Sequence, residues 1–210
     1  MTHRAPSESG SLDTSATSSK PDTPRINLLG TPQVSVGDRV RPMPAGRKTW
    51  AVLAYLLLTD EAPTRARLAN LCFANADDPR AALRWTLTDL RRLLGDVGDV
   101  SGDPLRLVMP LAMHVDVWEA LDRDSGAEAA CMRGQLLEGM SFPSSEPLDR
   151  WLALERHRLA VACTRVLETA TQRAEDADRP DRAAEIAAGL IALDPYRVPA
   201  ASGPAIGPRD

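Results

Sequence analysis

A group of basic side chains on one predicted helix is the part of the chain best suited to bind a ligand. Between Arg80 and Leu94, leucines recur at steps of four, three and four residues, which predicts a helix with one narrow buried stripe. The rest of this helix carries the candidate binding residues Arg80, Arg84, Trp85, Thr88, Arg91 and Arg92. A helix fits the major groove of B-DNA, where a guanidinium pairs bidentately with guanine. The pattern therefore predicts a helix that binds double-stranded DNA.

Two residues on the same helix favour a second interpretation. Trp85 is expected on the outward face, and an exposed tryptophan suits a neighbouring protein domain as well as it suits DNA. The carboxylate of Asp89, on one flank of that face, would lower the affinity for phosphates. We therefore keep two hypotheses open: a DNA-binding helix, and a protein–protein interaction module that has lost DNA binding.

The elements around this helix have the order of a winged helix-turn-helix. Three short strands at about 26–30, 34–36 and 39–41 predict a small antiparallel sheet. Helices are expected over 47–58, 65–73 and 80–94, followed by a β-hairpin over 97–108. Lys48, at the start of the first helix, and Arg106, in the hairpin, would suit contacts with DNA phosphates.

Residues 116–197 have a helical pattern throughout. Helices are predicted at about 117–121, 127–133, 148–175 and 182–193. Alanine-rich helix pairs of this kind are typical of tetratricopeptide-type (TPR) repeats, and an ordinary helical bundle explains them equally well. The predicted fold class is therefore mainly α with a small β component. A winged helix-turn-helix DNA-binding domain (25–115) precedes a TPR-like α-helical domain (116–197).

Charge is distributed unevenly along the 210 residues, although the net charge is only −4. Residues 39–95 contain ten basic and five acidic side chains, whereas residues 96–210 contain 12 basic and 20 acidic ones. This asymmetry indicates two units with different partners, of which only the basic one suits a polyanion.

A membrane protein is not expected from this chain. Its longest strongly apolar run, Trp50–Leu58, has nine residues, whereas about 18 are needed to span a bilayer. The first 25 residues contain no apolar segment typical of a secretory signal. We therefore predict a cytoplasmic protein without a membrane partner.

Metal and catalytic chemistry are not indicated either. The three histidines have no ligand spacing, and we expect them to be hydrogen-bonded or to face solvent. The three cysteines are too scattered for a disulfide framework or a zinc site, and Cys72 and Cys163 are expected to be small core residues. No catalytic motif is present, so we predict neither an enzyme nor a cofactor.

The two ends of the chain lack the residues needed to form a core. Residues 1–24 are rich in Ser, Thr, Pro and Asp, and residues 198–210 combine Pro, Gly and Ala without a periodic pattern. Such a composition cannot bury enough apolar area to offset the entropy of ordering. We predict a disordered arm at 1–24 and a disordered tail at 198–210.

Several short stretches occur in a specific order and at a specific spacing. They are Ile26–Gly30, Arg47-Lys48 with Leu53–Leu56, Ala82–Arg84 with Leu87–Gly95, Val115–Val117, Gly134–Gly139, Trp151–Arg156 and Leu193–Tyr196. In this arrangement the chain resembles the SARP-type bacterial transcription regulators over about residues 25–197. That family joins a winged helix to a bacterial transcriptional activator domain (BTAD).

The resemblance implies sequence-specific binding of promoter DNA, with Arg80–Leu94 as the recognition helix. Its base-reading and phosphate-binding residues would be Arg84, Thr88, Arg91 and Arg92, with Arg106 on the wing. The activator domain is implied to be TPR-like and to serve self-association as a homodimer or contacts with RNA polymerase.

The chain departs from the family pattern at three places. Asp89 stands where the family usually has a basic or neutral polar residue, and Phe73 stands where it usually has Trp. After Tyr196 the family continues with further helices, whereas this sequence ends at Asp210. The resemblance therefore implies a shortened activator domain.

Overall fold

The computed structural model of the protein describes residues 23–122 and 126–193. Its strands are β1 (Pro24–Asn27), β2 (Gln33–Val36), β3 (Arg39–Val40), β4 (Asp99–Ser101), β5 (Arg106–Val108) and β6 (His114–Val115). Its helices are α1 (Arg47–Leu58), α2 (Arg65–Phe73), α3 (Pro79–Leu94), α4 (Asp116–Asp122), α5 (Ala127–Cys131), α6 (Glu146–Asp176) and α7 (Pro180–Leu193). The predicted tail, residues 1–22 of the predicted arm, and the end of the chain from Asp194 lie outside the described residues.

A four-stranded sheet begins the fold, in the order β3-β2-β1-β6. The first three strands pair antiparallel, as predicted. The fourth strand, β6, is absent from the predicted sheet, and it runs parallel to β1 with Ile26 opposite Val115. A strand of two residues is too short to show the alternation of apolar and polar residues that identifies a strand. Its pairing with β1 also depends on how the chain between them folds. β1 also ends at Asn27 rather than Gly30, since residues 28–30 form other hydrogen bonds.

Three helices follow the sheet, and their apolar residues share one core with it. α1 and α2 have the predicted bounds, and α3 begins one residue earlier than predicted, at Pro79. The Asp78 carboxylate accepts a hydrogen bond from the Ala81 amide (2.9 Å) and so caps α3. The four leucines of the predicted stripe are buried. Their burial turns the opposite face of α3 towards solvent.

The predicted β-hairpin is present and forms the wing of the winged helix. β4 pairs antiparallel with β5, with Val100 opposite Leu107. The turn between them contacts the start of α2. There the Arg65 amide donates to the Asp103 carboxylate (2.9 Å), and the Arg65 Nε donates to the Gly102 carbonyl (2.9 Å). The wing is therefore held beside the N-terminus of α2.

The remaining described residues, 116–122 and 126–193, are called here the helical unit. α6 has 31 residues and α7 has 14. Only residues 177–179 connect them, and so short a connection makes neighbouring helices antiparallel. Ala183 and Ile186 of α7 are buried. The fold class is the predicted one: mainly α with a small β component, a winged helix-turn-helix followed by a helical unit.

A buried set of hydrogen bonds, called here the clasp, joins the segment after β1 to the helical unit. The Asp116 carboxylate, at the start of α4, accepts hydrogen bonds from the amides of Leu28 (2.8 Å) and Leu29 (2.9 Å). The Arg133 Nε lies 3.6 Å from the same carboxylate. Burial nevertheless outweighs these favourable contacts and raises the pKa of Asp116 to about 6.

The second part of the clasp is made by backbone groups alone. The Gly30 amide donates to the Gln135 carbonyl (2.8 Å), and the Leu137 amide donates to the Leu28 carbonyl (2.8 Å). Apolar residues of both halves belong to one buried cluster. The clasp therefore fixes the winged helix against the helical unit.

Arg156 of α6 stabilises the segment of the helical unit that takes part in the clasp. Its guanidinium donates to the carbonyls of Leu136 (2.8 Å), Leu137 (2.7 Å) and Met140 (2.8 Å). Burial lowers the pKa of this guanidinium, although it remains a cation at neutral pH. Three of the stretches behind the family resemblance, 26–30, 115–117 and 134–139, thus meet in the clasp and have a structural role there.

Two of the three cysteines are joined in a disulfide, which corrects the expectation for Cys163. Cys163 on α6 is buried, as predicted, but it is bonded to Cys131 on α5, with their Cα atoms 5.1 Å apart. Their separation of 32 residues carries no signal in the sequence, because the packing of α5 on α6 decides their proximity. Cys72 is a free buried cysteine, and burial raises its pKa to about 12. It is the small core residue that was predicted.

Loss of the disulfide is expected to lower the free energy of unfolding by roughly 2–4 kcal/mol, because a cross-link between α5 and α6 restricts the unfolded chain. Urea unfolding of the wild-type protein with and without dithiothreitol measures the effect. Cys131→Ser provides the control, since reductant should leave its stability unchanged. Equal stability of the oxidised and reduced wild type would contradict the prediction.

Candidate nucleic-acid interface

The outward face of α3 carries two exposed side chains, Trp85 and Arg92, and the half-buried Thr88. Trp85 is 71% exposed, and Arg84 is exposed beside it. The Thr88 hydroxyl donates to the Arg84 carbonyl (3.0 Å), so its donor is used within the helix. Arg92, one turn further, has a side chain that is 75% exposed. The structure therefore brings Arg84, Trp85, Thr88 and Arg92 together on one accessible helix surface.

An arginine-lined cleft adjoins the N-terminal half of this surface. It has a volume of about 350 Å³ and is lined by Arg65, Arg80 and Arg84, together with Leu83 and Asp103. Arg65 begins α2, and Arg80 and Arg84 lie in the first two turns of α3, which packs against α2. Sequence reasoning missed Arg65, although its position directly after the Thr64 cap was a usable signal. Such a cationic cleft suits an anion with several oxygens, such as a phosphate.

Asp89, which was expected to weaken phosphate binding, has a partner on the same helix. Its Oδ1 lies 3.3 Å from the Arg92 Nη1. The pair leaves Arg92 largely exposed, whereas only 29% of the Asp89 side chain is exposed. The carboxylate is therefore partly neutralised and orients the guanidinium at the C-terminal half of the surface.

Arg91 lies on the wing side of α3 and contacts the wing. Its Nε donates to the Val100 carbonyl of β4 (2.9 Å) and lies 3.9 Å from the Asp99 carboxylate. Its side chain is 40% exposed. The structure thus separates Arg91 from the outward face, and its guanidinium joins α3 to the wing. Arg106 is exposed on β5, opposite Ser101, and lies on the wing as predicted.

Lys48 lies apart from the other candidate residues. Its ammonium stands over the Phe73 ring, 4.5 Å from the centroid, and burial lowers its pKa. The neighbouring Arg47 donates to the Gly139 carbonyl of the helical unit (3.1 Å). The start of α1 therefore faces the helical unit, and the contact of Lys48 with Phe73 is an internal one.

The histidines that the structure describes are exposed. The Nδ1 of His114 lies 2.8 Å from the Glu119 carboxylate, and His157 is exposed on α6. His3 lies outside the described residues. Within residues 23–122 and 126–193, no group of three or more His, Cys, Asp or Glu side chains could hold a metal ion. In the same ranges, none of the helices combines the length and apolarity needed to cross a membrane.

Comparison with known proteins gives a structural match alone. No protein-family model matches the chain, and no curated protein matches it. Among solved structures, it is similar to Mycobacterium tuberculosis EmbR in complex with a low affinity phosphopeptide, with 17% sequence identity and a TM-score of 0.47. The match covers 81% of this chain and 54% of the EmbR chain, so the protein spans about half the length of that structure.

Proposed function

We propose that this protein is a sequence-specific DNA-binding transcriptional regulator of the SARP type. In this proposal α3 enters the major groove and the wing contacts the sugar–phosphate backbone. The observation that carries it is the cleft that Arg65, Arg80 and Arg84 line beside the outward face of α3. A DNA-binding surface needs phosphate contacts next to base contacts, and these two features adjoin here.

The candidate residues then divide into three roles. Arg65, Arg80 and Arg84 would bind phosphates, with Arg106 doing so from the wing. Trp85, Thr88 and Arg92 would face the base edges. Arg91 would act as a positioning residue, because it holds α3 to β4. Lys48 has no place in this division, since its ammonium is committed to the Phe73 ring.

The helical unit would serve protein contacts in this proposal. We place its domain at 116–197 and the winged-helix domain at 25–115. The α6–α7 pair supports a TPR-like activator domain, and the exposed apolar residues Leu154 (65%) and Ile191 (59%) suit self-association or contact with RNA polymerase. Such a regulator would act in the cytoplasm, where bacterial DNA lies.

Removing two arginines of the cleft is expected to weaken DNA binding about 10- to 100-fold. The double variant Arg80→Ala/Arg84→Ala tests this without removing a buried contact, because both side chains are exposed. The slope of log affinity against log salt should become shallower by about 0.9 for each phosphate that the variant no longer neutralises. Fluorescence anisotropy on a duplex from the region upstream of the protein's own coding sequence, over a salt series, measures both quantities.

The matched control removes an exposed arginine from the helical unit. Arg158→Ala lowers the positive charge on α6, where the Arg158 side chain is 53% exposed and paired with Glu155. Its affinity for DNA should equal that of the wild type within about twofold. A folded wild-type protein that binds no duplex at low salt would refute the proposed function.

The rival function, a protein-interaction module without DNA binding, has one specific observation in its favour. Trp85 exposes 71% of its surface at the centre of the α3 face, and exposed aromatic residues are common in protein interfaces. The two functions differ in their response to salt, because binding of DNA by arginines releases counterions and weakens steeply with ionic strength.

A further inference from the structure

Trp85 is unusual among the four tryptophans of the chain. Trp50 is buried, Trp118 donates its indole N–H to the Leu57 carbonyl (2.8 Å), and Trp151 packs against the Tyr55 ring at a centroid distance of 5.1 Å. These three therefore have packing roles within the fold. Trp85 is the most exposed of the four, and it lies opposite the buried leucine stripe of α3. Removing this ring from water would be favourable, and a bound partner would be needed to cover it.

The neighbours of Trp85 along the outward face of α3 are small side chains. Ala81 lies one turn before it and Thr88 one turn after it on the same face. The Thr88 hydroxyl is bonded to the Arg84 carbonyl, which leaves the Thr88 methyl group as a contact surface. The ring can therefore approach a flat partner closely. In the major groove the apolar group offered by a natural base pair is the C5-methyl of thymine.

Arg92 lies on the same outward face as Trp85, two turns later, and is paired with Asp89. Asp89 holds one guanidinium nitrogen of Arg92 at 3.3 Å, so the fork has a preferred orientation. Arginine reads guanine O6 and N7 in the major groove. Arg92 lies seven positions after Trp85, a rise of about 10 Å along the helix, which corresponds to about three base-pair steps.

We propose that Trp85 is the specificity-determining residue of the α3 surface and contacts the C5-methyl group of a thymine. Arg92, positioned by Asp89, reads a guanine within about three base pairs of that thymine. This inference rests on the proposed function, because it assumes that α3 lies in the major groove. It goes further by naming the base feature that the surface recognises.

The experiment begins with selection of bound duplexes from a randomised DNA library by the wild-type protein. Each thymine of the selected site is then replaced in turn by deoxyuridine, which lacks only the C5-methyl group. At one position the substitution should lower wild-type affinity about fivefold, as expected for a buried methyl group. Trp85→Ala should bind the thymine and uracil duplexes equally, and Trp85→Phe should retain part of the preference.

The control is Val161→Ala, which removes an exposed apolar side chain from α6 and should keep the full preference for thymine. The proposal is overturned if no single deoxyuridine changes wild-type affinity by more than about twofold, or if Trp85→Ala retains the wild-type preference for thymine over uracil. Unchanged DNA binding by Trp85→Ala would assign the ring to a protein contact and overturn it as well. If the library yields no bound duplex at all, the proposed function fails together with this inference.

Discussion

Replacing Gly30 by alanine is expected to destabilise the protein by about 3–5 kcal/mol. Gly30 has a φ of +72°, and a Cβ atom there would lie 2.2 Å from the Arg133 carbonyl oxygen. Because the clash is with a backbone atom, it can be relieved only by a shift of the main chain at residue 30 or at Arg133. The shift would break the bond from the Gly30 amide to the Gln135 carbonyl and leave buried polar groups of the clasp unpaired. Urea unfolding measures the loss.

Gly139 provides a matched control for this variant. Its φ is +71°, but a Cβ atom there would have nothing within 4 Å. Gly139→Ala should therefore cost only the backbone strain, about 1 kcal/mol. If Gly30→Ala and Gly139→Ala lower the free energy of unfolding equally, the close approach of Gly30 to Arg133 does not contribute to stability and the prediction is wrong. A separate early unfolding transition in Gly30→Ala would show that the clasp makes the two halves unfold together.

Ionisation of Asp116 is expected to weaken the clasp as the pH rises. Burial raises the pKa of this carboxyl from 3.8 to about 6 in the folded protein. Between these values the folded state binds more protons than the unfolded state, so the contribution of Asp116 to stability falls with increasing pH. It is fully present below pH 3.8 and is lost above pH 6, a change of about 3 kcal/mol.

The reference for this measurement is Asp116→Asn, which cannot ionise at this position. The difference in unfolding free energy between wild type and variant, measured at pH 4, 5, 6 and 7, cancels the other titrating groups. It should fall from pH 4 to 6 and stay constant above. A difference that rises with pH would mean that the Leu28 and Leu29 amides and Arg133 outweigh burial, and would overturn the prediction.

The clasp also bears on the proposed function. It links the chain between β1 and β2 to the start of α4 and to residues 135–137 of the helical unit. If the proposed function holds, this connection would set the orientation of α3 relative to a protein bound by the helical unit. Gly30→Ala therefore affects both halves, whereas Arg80→Ala/Arg84→Ala is expected to affect only the DNA contact.

The helices of the winged helix were predictable because their signals are local. The Asp78 cap and Pro79 define the start of α3, and the leucine stripe defines its buried face. The exposed positions of Arg84, Trp85 and Arg92 follow from that stripe by helical periodicity alone. The sequence could not show that Arg65 completes the arginine cleft, because α2 and α3 must first pack together.

Other features depend on residues that are far apart in the chain. Two cations that the sequence suggested for DNA binding have contacts within the protein. Lys48 lies over the Phe73 ring, and Arg91 is hydrogen-bonded to the Val100 carbonyl. An amphipathic pattern tells which face of a helix is buried, but it does not tell which neighbour a flanking side chain will meet. The two-residue strand β6 was missed for the same reason.

By itself, the sequence determined the order of helices and hairpin, the fold class and the outward face of α3, because caps, turns and apolar periodicity act over a few residues. The tertiary structure alone decided the clasp, the Cys131–Cys163 disulfide and the arginine cleft. Asp116 lies 88 residues from Leu28, and Cys163 lies 32 residues from Cys131. Contacts over such separations exist only once the core has closed, since many arrangements of the same local elements are compatible with the same sequence pattern.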